Sequence, residues 1–502
     1  MRKATCAILL ALAIGLSACT GAAPTAAPPS QTVMPTPTQE LGTTPGPTEV
    51  PASTPTFTVE PSPTATPAPT ATPAPLTPTP LPPIHASCYP DTSAPLEDLV
   101  ILRGSEHLFD PSCEVSGGVG EITASWDIDG DGAPESVEED PPPLALQPGE
   151  YNPAVTFRDE AGQILTLELA RIVKVGEPRY PDWRYGVTAH IDLVSHSFYA
   201  NADETERAVQ MIADAGIEAI RVDFAWSIIE GSRDNTYSWS DYDRIVRLAT
   251  DHGLELLPLV AYTPHWASNK PSDPRFWEFP PSDPVKYGEF LTVLVNRYKE
   301  DVHAWQICNE PNVSTYFRGT SAAVYTEILK QGYLGVKYSD PSAIVVLAGL
   351  ANDASAGHPG VTFIAPDVFL QRIYDNGGRE YSDAAARHPY ATPNTDGFRY
   401  LSQQLSNFRQ VMTANGDSGK PMWITENGWP SYDQWSEAAQ AQWLTDSYVY
   451  MTAVEHVGPL FWYNLRDKGT NPGEWEHNTG LIRRDWSTKP AYFALRDFIR
   501  SH

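Results

Sequence analysis

Strand-like and helix-like segments alternate over the last two thirds of the chain, and this alternation restricts the fold more than any other feature. Eight apolar segments suit buried strands, at residues 185–190, 219–224, 254–262, 303–309, 343–350, 384–388, 422–426 and 458–463. Amphipathic segments lie between them, at residues 203–215, 241–251, 285–300, 322–337, 398–414 and 437–455. Eight units of about 40 residues predict a (β/α)8 TIM barrel. An open doubly wound sheet is the alternative, but this part of the sequence has no glycine-rich phosphate loop.

The first residues have the pattern of an export signal. Arg2 and Lys3 precede an apolar run at residues 7–16, which is too short to be a permanent membrane span. The next residues, Leu-Ser-Ala-Cys at 16–19, resemble the bacterial lipobox. The resemblance implies that residues 1–19 are a lipoprotein signal, that Cys19 carries a lipid anchor, and that the protein is exported to a bacterial cell surface. An ordinary cleaved signal peptide is the alternative.

A linker is expected at residues 20–84. Between Thr20 and Pro83 lie 19 of the 48 prolines of the chain, mostly interleaved with Thr and Ala. Such a composition cannot bury a core and favours polyproline II. We therefore expect a disordered, Pro/Thr-rich spacer.

Residues 85–177 change to short alternating segments at 99–102, 121–126, 151–158 and 164–175, separated by Gly, Pro and Asp. This pattern predicts a small β-sandwich. The stretches 124–132, 147–151 and 155–159 resemble the PKD-type, immunoglobulin-like modules of exported bacterial enzymes. Cys88 and Cys113 are expected to form a disulfide in this exported segment, and Cys308 to be a buried free thiol.

An acidic stretch in the same module has the spacing of a calcium loop. The pattern D-x-D-x-D-G-x5-E is matched by Asp127, Asp129, Asp131 and Glu138. Prolines at 134 and 141–143 exclude the helices that flank an EF-hand. We therefore favour a hairpin turn rich in Asp and Gly, with a calcium site as the alternative.

The net charge restricts the partners of the protein. Lys and Arg number 34 against 62 Asp and Glu, for a formal charge of −28. This charge argues against a nucleic-acid or anionic-lipid surface as the main partner, because such binding needs clustered basic residues, and membrane association is expected through the lipid anchor. The chain contains 14 Trp and 23 Tyr, which favours flat ligands such as sugars.

Two predicted strands end in a carboxylate. One strand leads into Asn309-Glu310-Pro311, and another ends in Glu426, before Asn427-Gly428. Reactive groups of such barrels lie at the carboxyl ends of the strands. The two glutamates are 116 residues apart, or three units of about 39, so they are expected to face each other across the barrel mouth. Paired carboxylates suit glycoside cleavage, in which one protonates the leaving oxygen and the other attacks the anomeric carbon.

From about residue 185 onward, these motifs resemble glycoside hydrolase clan A, the cellulase-like (β/α)8 retaining β-glycosidases. The resemblance implies that Glu310 is the general acid/base and Glu426 the nucleophile. It implies further roles at strand ends: Asn309 bonds the sugar 2-hydroxyl, Arg221 keeps the nucleophile ionised, His388 and Tyr390 belong to the sixth strand, and Trp462 lies beneath the sugar. Just past another strand end, Trp266 is expected to bind substrate as an aromatic platform.

Some of these residues have a structural alternative. Arg221 would otherwise pair with Asp223, His388 would be a core histidine, and Trp462 would pack the barrel. Together these features predict that residues 178–502 are a retaining glycoside hydrolase. The enzyme is expected to cleave a β-linked oligo- or polysaccharide by double displacement, without metal or organic cofactor. A non-catalytic carbohydrate-binding or adhesion protein is the alternative, although a binding surface has no use for two facing glutamates.

Overall fold

The computed structural model describes residues 79–192, 198–352, 360–391, 395–432 and 435–502. The expected signal with Cys19, and the expected linker up to residue 78, lie outside these ranges. Leu81–His502 belong to one compact unit. Within the described ranges, no helix combines the length and the apolar character needed to cross a membrane.

The N-terminal part of this unit consists of short strands around one apolar core. Its elements are β1 (Ile84–Tyr89), α1 (Leu96–Leu99), β2 (Val100–Ile101), β3 (Ser112–Gly117), β4 (Ile122–Asp127), β5 (Gly149–Tyr151), β6 (Ala154–Asp159), β7 (Ile164–Glu168) and β8 (Ile172–Lys174). Strand β1 pairs with β3, β6 lies between β4 and β7, and β8 lies between β2 and β5. Strands β1 and β3, which the sequence analysis does not anticipate, are joined by a disulfide between Cys88 and Cys113. Trp126, Val155 and Ile172 are fully buried in the core.

The remaining elements alternate as predicted. They are β9 (Tyr185–Thr188), α2 (Ala202–Asp214), β10 (Ala219–Ala225), α3 (Trp226–Ile229), α4 (Ser240–Asp251), β11 (Glu255–Ala261), α5 (Val285–Tyr298), β12 (Ala304–Ile307), α6 (Ala322–Ser339), β13 (Ile344–Val346), β14 (Leu350–Ala351), α7 (Pro366–Asp375), β15 (Ala385–His388), α8 (Thr395–Ala414), β16 (Met422–Asn427), α9 (Glu437–Thr452), β17 (Val457–Tyr463) and α10 (Pro490–Ser501). Helices α3, α7 and α10 are absent from the expected set, and α7 and α10 each have a proline in the first turn.

The parallel strands close into a barrel. Their order is β13-β12-β11-β10-β9-β17-β16-β15-β14, and β13 and β14 are successive pieces of the fifth strand. A bridge between Val346 and Ala384 joins the end of β13 to the chain just before β15. The ring therefore contains eight strands, which confirms the expected (β/α)8 barrel.

Burial on both faces explains the apolar strand sequences. Inside the barrel, Trp423 and Phe461 pack with small residues such as Ala219 and Ala386. Alternate residues such as Leu460 and Trp462 point outward and join the core beneath the helices. The strands therefore read as continuous apolar runs, as expected for a parallel sheet covered by helices.

The N-terminal module packs against the barrel around α6. Leu334 of α6 shares an apolar cluster with Val100 and Val173 of the module. Beside it, the buried Asp383 carboxylate lies 2.9 Å from Lys337 Nζ and 3.5 Å from Arg103 Nη1 of the module. Asp383 precedes β15, so this contact lies at the amino ends of the strands, opposite the predicted site.

Candidate active site

The two predicted glutamates meet at the carboxyl ends of their strands. Glu310 follows β12 with a left-handed backbone, at φ 41°, and Glu426 belongs to β16. Both residues are 8% exposed. One carboxylate oxygen of Glu310 and one of Glu426 lie within 4.8 Å of each other. This separation is shorter than the roughly 6.5–9.5 Å that accommodates a water between the carboxyl groups of inverting enzymes.

Arg221, on β10, fixes the Glu426 carboxylate. Its Nη1 donates to Glu426 Oε1 at 2.7 Å, and its Nη2 donates to Asn309 Oδ1 at 2.8 Å. Tyr390 OH donates to the other oxygen, Glu426 Oε2, at 2.7 Å. Each oxygen of Glu426 thus accepts one hydrogen bond, which is the arrangement expected of an oriented carboxylate nucleophile.

His388 contacts the other glutamate. Its Nδ1 lies 2.7 Å from Glu310 Oε1, and its Nε2 lies 3.0 Å from Thr425 Oγ1. Thr425 in turn accepts a hydrogen bond from Gln306 Nε2 at 3.1 Å. A buried chain of hydrogen bonds therefore leads from the first glutamate back toward Arg221, whose Nε donates to Gln306 Oε1 at 2.7 Å.

This chain of hydrogen bonds favours one tautomer of His388. The Gln306 amide is oriented by Arg221, which donates to its oxygen, and by the Leu347 carbonyl, which accepts from its nitrogen. The amide nitrogen therefore donates to Thr425, whose single hydroxyl hydrogen then points to His388 Nε2. His388 Nε2 is thus the acceptor, so Nδ1 carries the hydrogen and donates it to Glu310 Oε1. A proton held by Glu310 consequently lies on Oε2.

Burial and neighbouring charges give the two glutamates different proton affinities. Burial raises the pKa of Glu310 well above its usual value, and the charge of Glu426 raises it further. Burial also raises the pKa of Glu426, but Arg221 and the Tyr390 hydroxyl oppose that shift. Burial, together with the charge of Arg221, lowers the pKa of His388 well below its usual value, so its imidazole is neutral. A proton shared by the two glutamates therefore resides on Glu310.

Gln306 and Thr425 belong to this site although the sequence analysis does not select them. Both are fully buried polar residues that directly follow apolar residues of their strands. A buried polar group costs free energy unless it is hydrogen-bonded, so such a residue inside a strand indicates a buried polar network. A polar residue within an apolar run is therefore a signal that the sequence itself contains at Gln306 and Thr425, beside the residues that the sequence analysis selects.

The prediction for Trp462 is wrong. Its side chain is 0% exposed, points toward the helices and donates through Nε1 to the Thr479 carbonyl, so it offers no surface to a sugar. Successive residues of a strand point to opposite faces, and the next residue, Tyr463, lies at the mouth instead. The Tyr463 ring stacks on Trp475 at 5.7 Å and lies 6.5 Å from the ring of Tyr390. Tyr463 and Trp475 therefore lie beside Tyr390, whose hydroxyl is bonded to Glu426.

Trp266 has other partners. Its indole nitrogen donates to the Glu230 carbonyl at 2.7 Å, and its ring meets the edge of Trp226. These contacts do not include Glu310, Glu426 or the residues bonded to them. Its role in substrate binding stays a prediction.

Glu310, His388 and Glu426 also have the atom types of a metal site, since one ligand atom of each lies within 4.8 Å of the others. Two features oppose a cation there. The Arg221 guanidinium already donates to Glu426, and the assigned tautomer turns an N–H of His388, rather than a lone pair, toward Glu310. The residues thus fit proton transfer better than metal binding.

The acidic stretch of the N-terminal module forms a turn. Carboxylate oxygens come together from Asp127, Asp129, Asp131 and Glu135. The expected fourth residue, Glu138, is not in this group, because the bridge between Trp126 and Ser136 folds Glu135 back against the turn instead. The carboxylate of Asp127 accepts hydrogen bonds from the backbone of Gly130 and Gly132, as in a turn rich in Asp and Gly.

Comparison with known proteins gives partial matches. A family model described as glycosyl hydrolase family 14 matches residues 188–269, a segment that contains Arg221 but neither glutamate. A β-amylase of Zea mays is 27% identical over 63 residues, which are 12% of this chain and 13% of that protein. For β-amylase Tri a 17 of Triticum aestivum, the identity is 26% over 73 residues, 14% of each protein. The match therefore spans only a small part of either β-amylase.

Some solved structures resemble this chain in fold at low sequence identity. A family 39 glycoside hydrolase from Bacteroides cellulosilyticus WH2 is 22% identical, with 76% of this chain and 78% of that chain covered and a TM-score of 0.48. For a GH39 β-xylosidase from Caulobacter crescentus the identity is 15%, the coverage 64% and 72%, and the TM-score 0.49. The closed order of the parallel strands, rather than these likenesses, defines the barrel.

Proposed function

We propose that this protein is a retaining glycoside hydrolase that cleaves β-linked oligo- or polysaccharides. The observation that carries the proposal is the pair of buried glutamates within 4.8 Å of each other, one held by Arg221 and Tyr390 and the other by His388. Retaining enzymes bring their carboxyl groups to about 5–5.5 Å, because one of them must reach the anomeric carbon itself.

The different surroundings of the two glutamates support a separate role for each of them. Ionised Glu426 attacks the anomeric carbon, and the glycosidic bond breaks as Glu310 Oε2 donates its proton to the leaving oxygen. The resulting ester removes the negative charge of Glu426, which lowers the pKa of Glu310 and lets it act as a base. It then takes a proton from the water that hydrolyses the ester, so both glutamates return to their starting states.

The full chain is tested on nitrophenyl β-glycosides and on β-linked glucans, mannans and xylans, with proton NMR of the first-formed anomer. Retention predicts the β-anomer. Azide is then added as an external nucleophile to Glu426→Gly and to Glu310→Ala, because it fits the space of the lost carboxylate. We expect Glu426→Gly to form an α-glycosyl azide and Glu310→Ala to form a β-glycosyl azide. Asp417→Asn, a buried carboxylate outside the site, is the control and keeps activity.

An α-anomer as first product would overturn the retaining mechanism. Binding of an oligosaccharide without cleavage of any substrate would overturn the enzyme proposal and support the carbohydrate-binding alternative.

We also propose, from residues 1–19, that Cys19 carries the lipid anchor of an exported protein. The apolar run followed by Leu-Ser-Ala-Cys supports this proposal. The full chain is expected in the membrane fraction of a bacterial host and Cys19→Ser in the soluble fraction. Equal distribution of the two proteins would contradict the anchor.

A further inference from the structure

We propose that Lys489 is a positioning residue, which fixes the loop after β17 and thereby the hydrogen bond that Tyr390 donates to Glu426; this inference rests on the proposed function. The segment in question, the β17 loop, comprises residues 464–482. Lys489 lies just before α10, so its effect reaches Glu426 through the residues between them.

The ammonium group of Lys489 is buried and fully hydrogen-bonded. Lys489 is 1% exposed, and its Nζ donates to Asp467 Oδ1 at 2.7 Å, to Ser431 Oγ at 3.0 Å and to the Asn478 carbonyl at 3.0 Å. An ammonium has three N–H donors, so each of them has an acceptor. A buried charge is costly unless it is paired and hydrogen-bonded, and these three acceptors therefore hold the ammonium in one place. Asp467 and Asn478 belong to the β17 loop and Ser431 follows β16, so one side chain joins both loops.

Asn478 extends this restraint to Trp475. Its N–H donates to the Trp475 carbonyl at 3.1 Å, and its Nδ2 donates to the carbonyl of the preceding residue, Glu474, at 2.7 Å. The backbone on both sides of the Trp475 side chain is thus bonded to Asn478, whose own carbonyl accepts from Lys489. Release of the ammonium therefore loosens the segment that positions the Trp475 ring.

Trp475 packs against the residue that bonds Glu426. Its ring meets the ring of Tyr390 edge-on, with the centroids 5.3 Å apart and the planes at 81°. The hydroxyl of that tyrosine donates to Glu426 Oε2 at 2.7 Å. Edge-to-face contact is a preferred geometry of aromatic pairs, so the Trp475 ring restricts the direction of the Tyr390 ring and of its hydroxyl. When the β17 loop loosens, Tyr390 loses this neighbour and its hydrogen bond to Glu426 weakens.

The test compares Lys489→Met with the parent protein, both as the full chain. The Tyr390 hydrogen bond lowers the pKa of Glu426, so its weakening raises that pKa. We expect the acid limb of the pH profile of kcat/KM to move to higher pH by about 0.5–1 unit. Amide hydrogen exchange of the β17 loop is expected to become about tenfold faster. Tyr390→Phe already lacks the hydroxyl, so adding Lys489→Met to it is expected to move the limb no further.

Two further variants separate positioning from lost stability. Lys174→Met is the matched control, because Lys174 is also a buried lysine, in the N-terminal module, whose Nζ donates to the carbonyls of Leu102 and Ser105. It is expected to lower the melting temperature without moving the acid limb. Lys489→Met/Asp467→Leu removes both charges, so no unpaired carboxylate stays buried. It still lacks the bond to the Asn478 carbonyl, and we expect the same limb shift and the same faster exchange.

The pKa of Glu426 is also measured without substrate, by carbon-13 NMR of carboxyl-labelled glutamate, with its signal identified by comparison with Glu426→Gln. A higher pKa in Lys489→Met supports the inference even if no substrate is ever cleaved, a result that would overturn the proposed function alone. Unchanged exchange of the β17 loop, an unmoved pKa of Glu426, or an equal shift when Tyr390→Phe is already present would overturn the inference. None of these three results would affect the roles proposed for the two glutamates.

Discussion

Thr425→Val tests the hydrogen-bond chain that determines where Glu310 holds its proton. Valine has nearly the shape of threonine but neither donates nor accepts a hydrogen bond. The substitution leaves His388 Nε2 and one N–H of Gln306 buried without their partner. Each such group costs about 1–3 kcal/mol, so we expect the free energy of unfolding to fall by about 2–6 kcal/mol.

The catalytic effect follows from the tautomer of His388. Without the Thr425 hydroxyl, nothing in the chain favours a hydrogen on Nδ1, and Nδ1 is able to accept the Glu310 proton instead of donating to Oε1. The acid proton is then directed at His388 rather than at the leaving oxygen. General acid catalysis contributes about 10²–10⁴-fold, and partial loss of it predicts a fall of about 10- to 100-fold in kcat/KM for glycosides with poor leaving groups.

The assay compares leaving groups. A 2,4-dinitrophenyl group departs without protonation, so Thr425→Val is expected to change its release far less than that of a methyl or sugar leaving group. Thr425→Ser keeps the hydroxyl and is expected to resemble the parent protein. Thr326→Val removes another fully buried hydroxyl, on α6, and controls for lost stability. Equal losses for both leaving groups in Thr425→Val, or no loss for either, would refute the assigned tautomer.

Three further perturbations test other parts of the structure. Arg221→Met removes the positive charge that favours the ionised form of Glu426, so we expect the pKa of Glu426 to rise and the acid limb of the pH profile of kcat/KM to move to higher pH. An acid limb that does not move would contradict this role of Arg221. Gly349→Ala places a Cβ 2.0 Å from His388 Nε2, and we expect at least a tenfold loss of kcat, whereas Gly419→Ala, with nothing within 4 Å, keeps full activity. Cys88→Ser opens a disulfide that spans 25 residues and is expected to cost about 3.5 kcal/mol, seen as a lower melting temperature that dithiothreitol lowers no further.

The barrel and the facing pair of glutamates are predictable because they follow from regular spacing. Buried parallel strands produce long apolar runs, and a separation of 116 residues between Glu310 and Glu426 fits three repeat units. Asn309, Arg221, His388 and Tyr390, which the resemblance selects, all contact one of the two glutamates or each other.

The sequence does not determine details that depend on side-chain direction and loop shape. Trp462 and Tyr463 are adjacent aromatic residues, and only the register of β17 decides which of them faces the mouth. Glu138 has the spacing of a ligand, but a bridge between Trp126 and Ser136 brings Glu135 to the turn instead. Neither outcome follows from periodicity, because each depends on how one segment pairs with another.

The contact between α6 and the N-terminal module affects whether the module can be removed from the barrel or exchanged for that of a related protein. Composition changes near residue 178, yet Leu334 is buried against Val100 and Val173 across that position, and Arg103 supplies a charge beside Asp383. A gene fragment that begins at residue 178 would expose an apolar helix face and remove one cation from a buried ion cluster. A chain cut at this boundary is therefore expected to be less stable than the full chain, and exchange of the module between related proteins would require matching changes on α6.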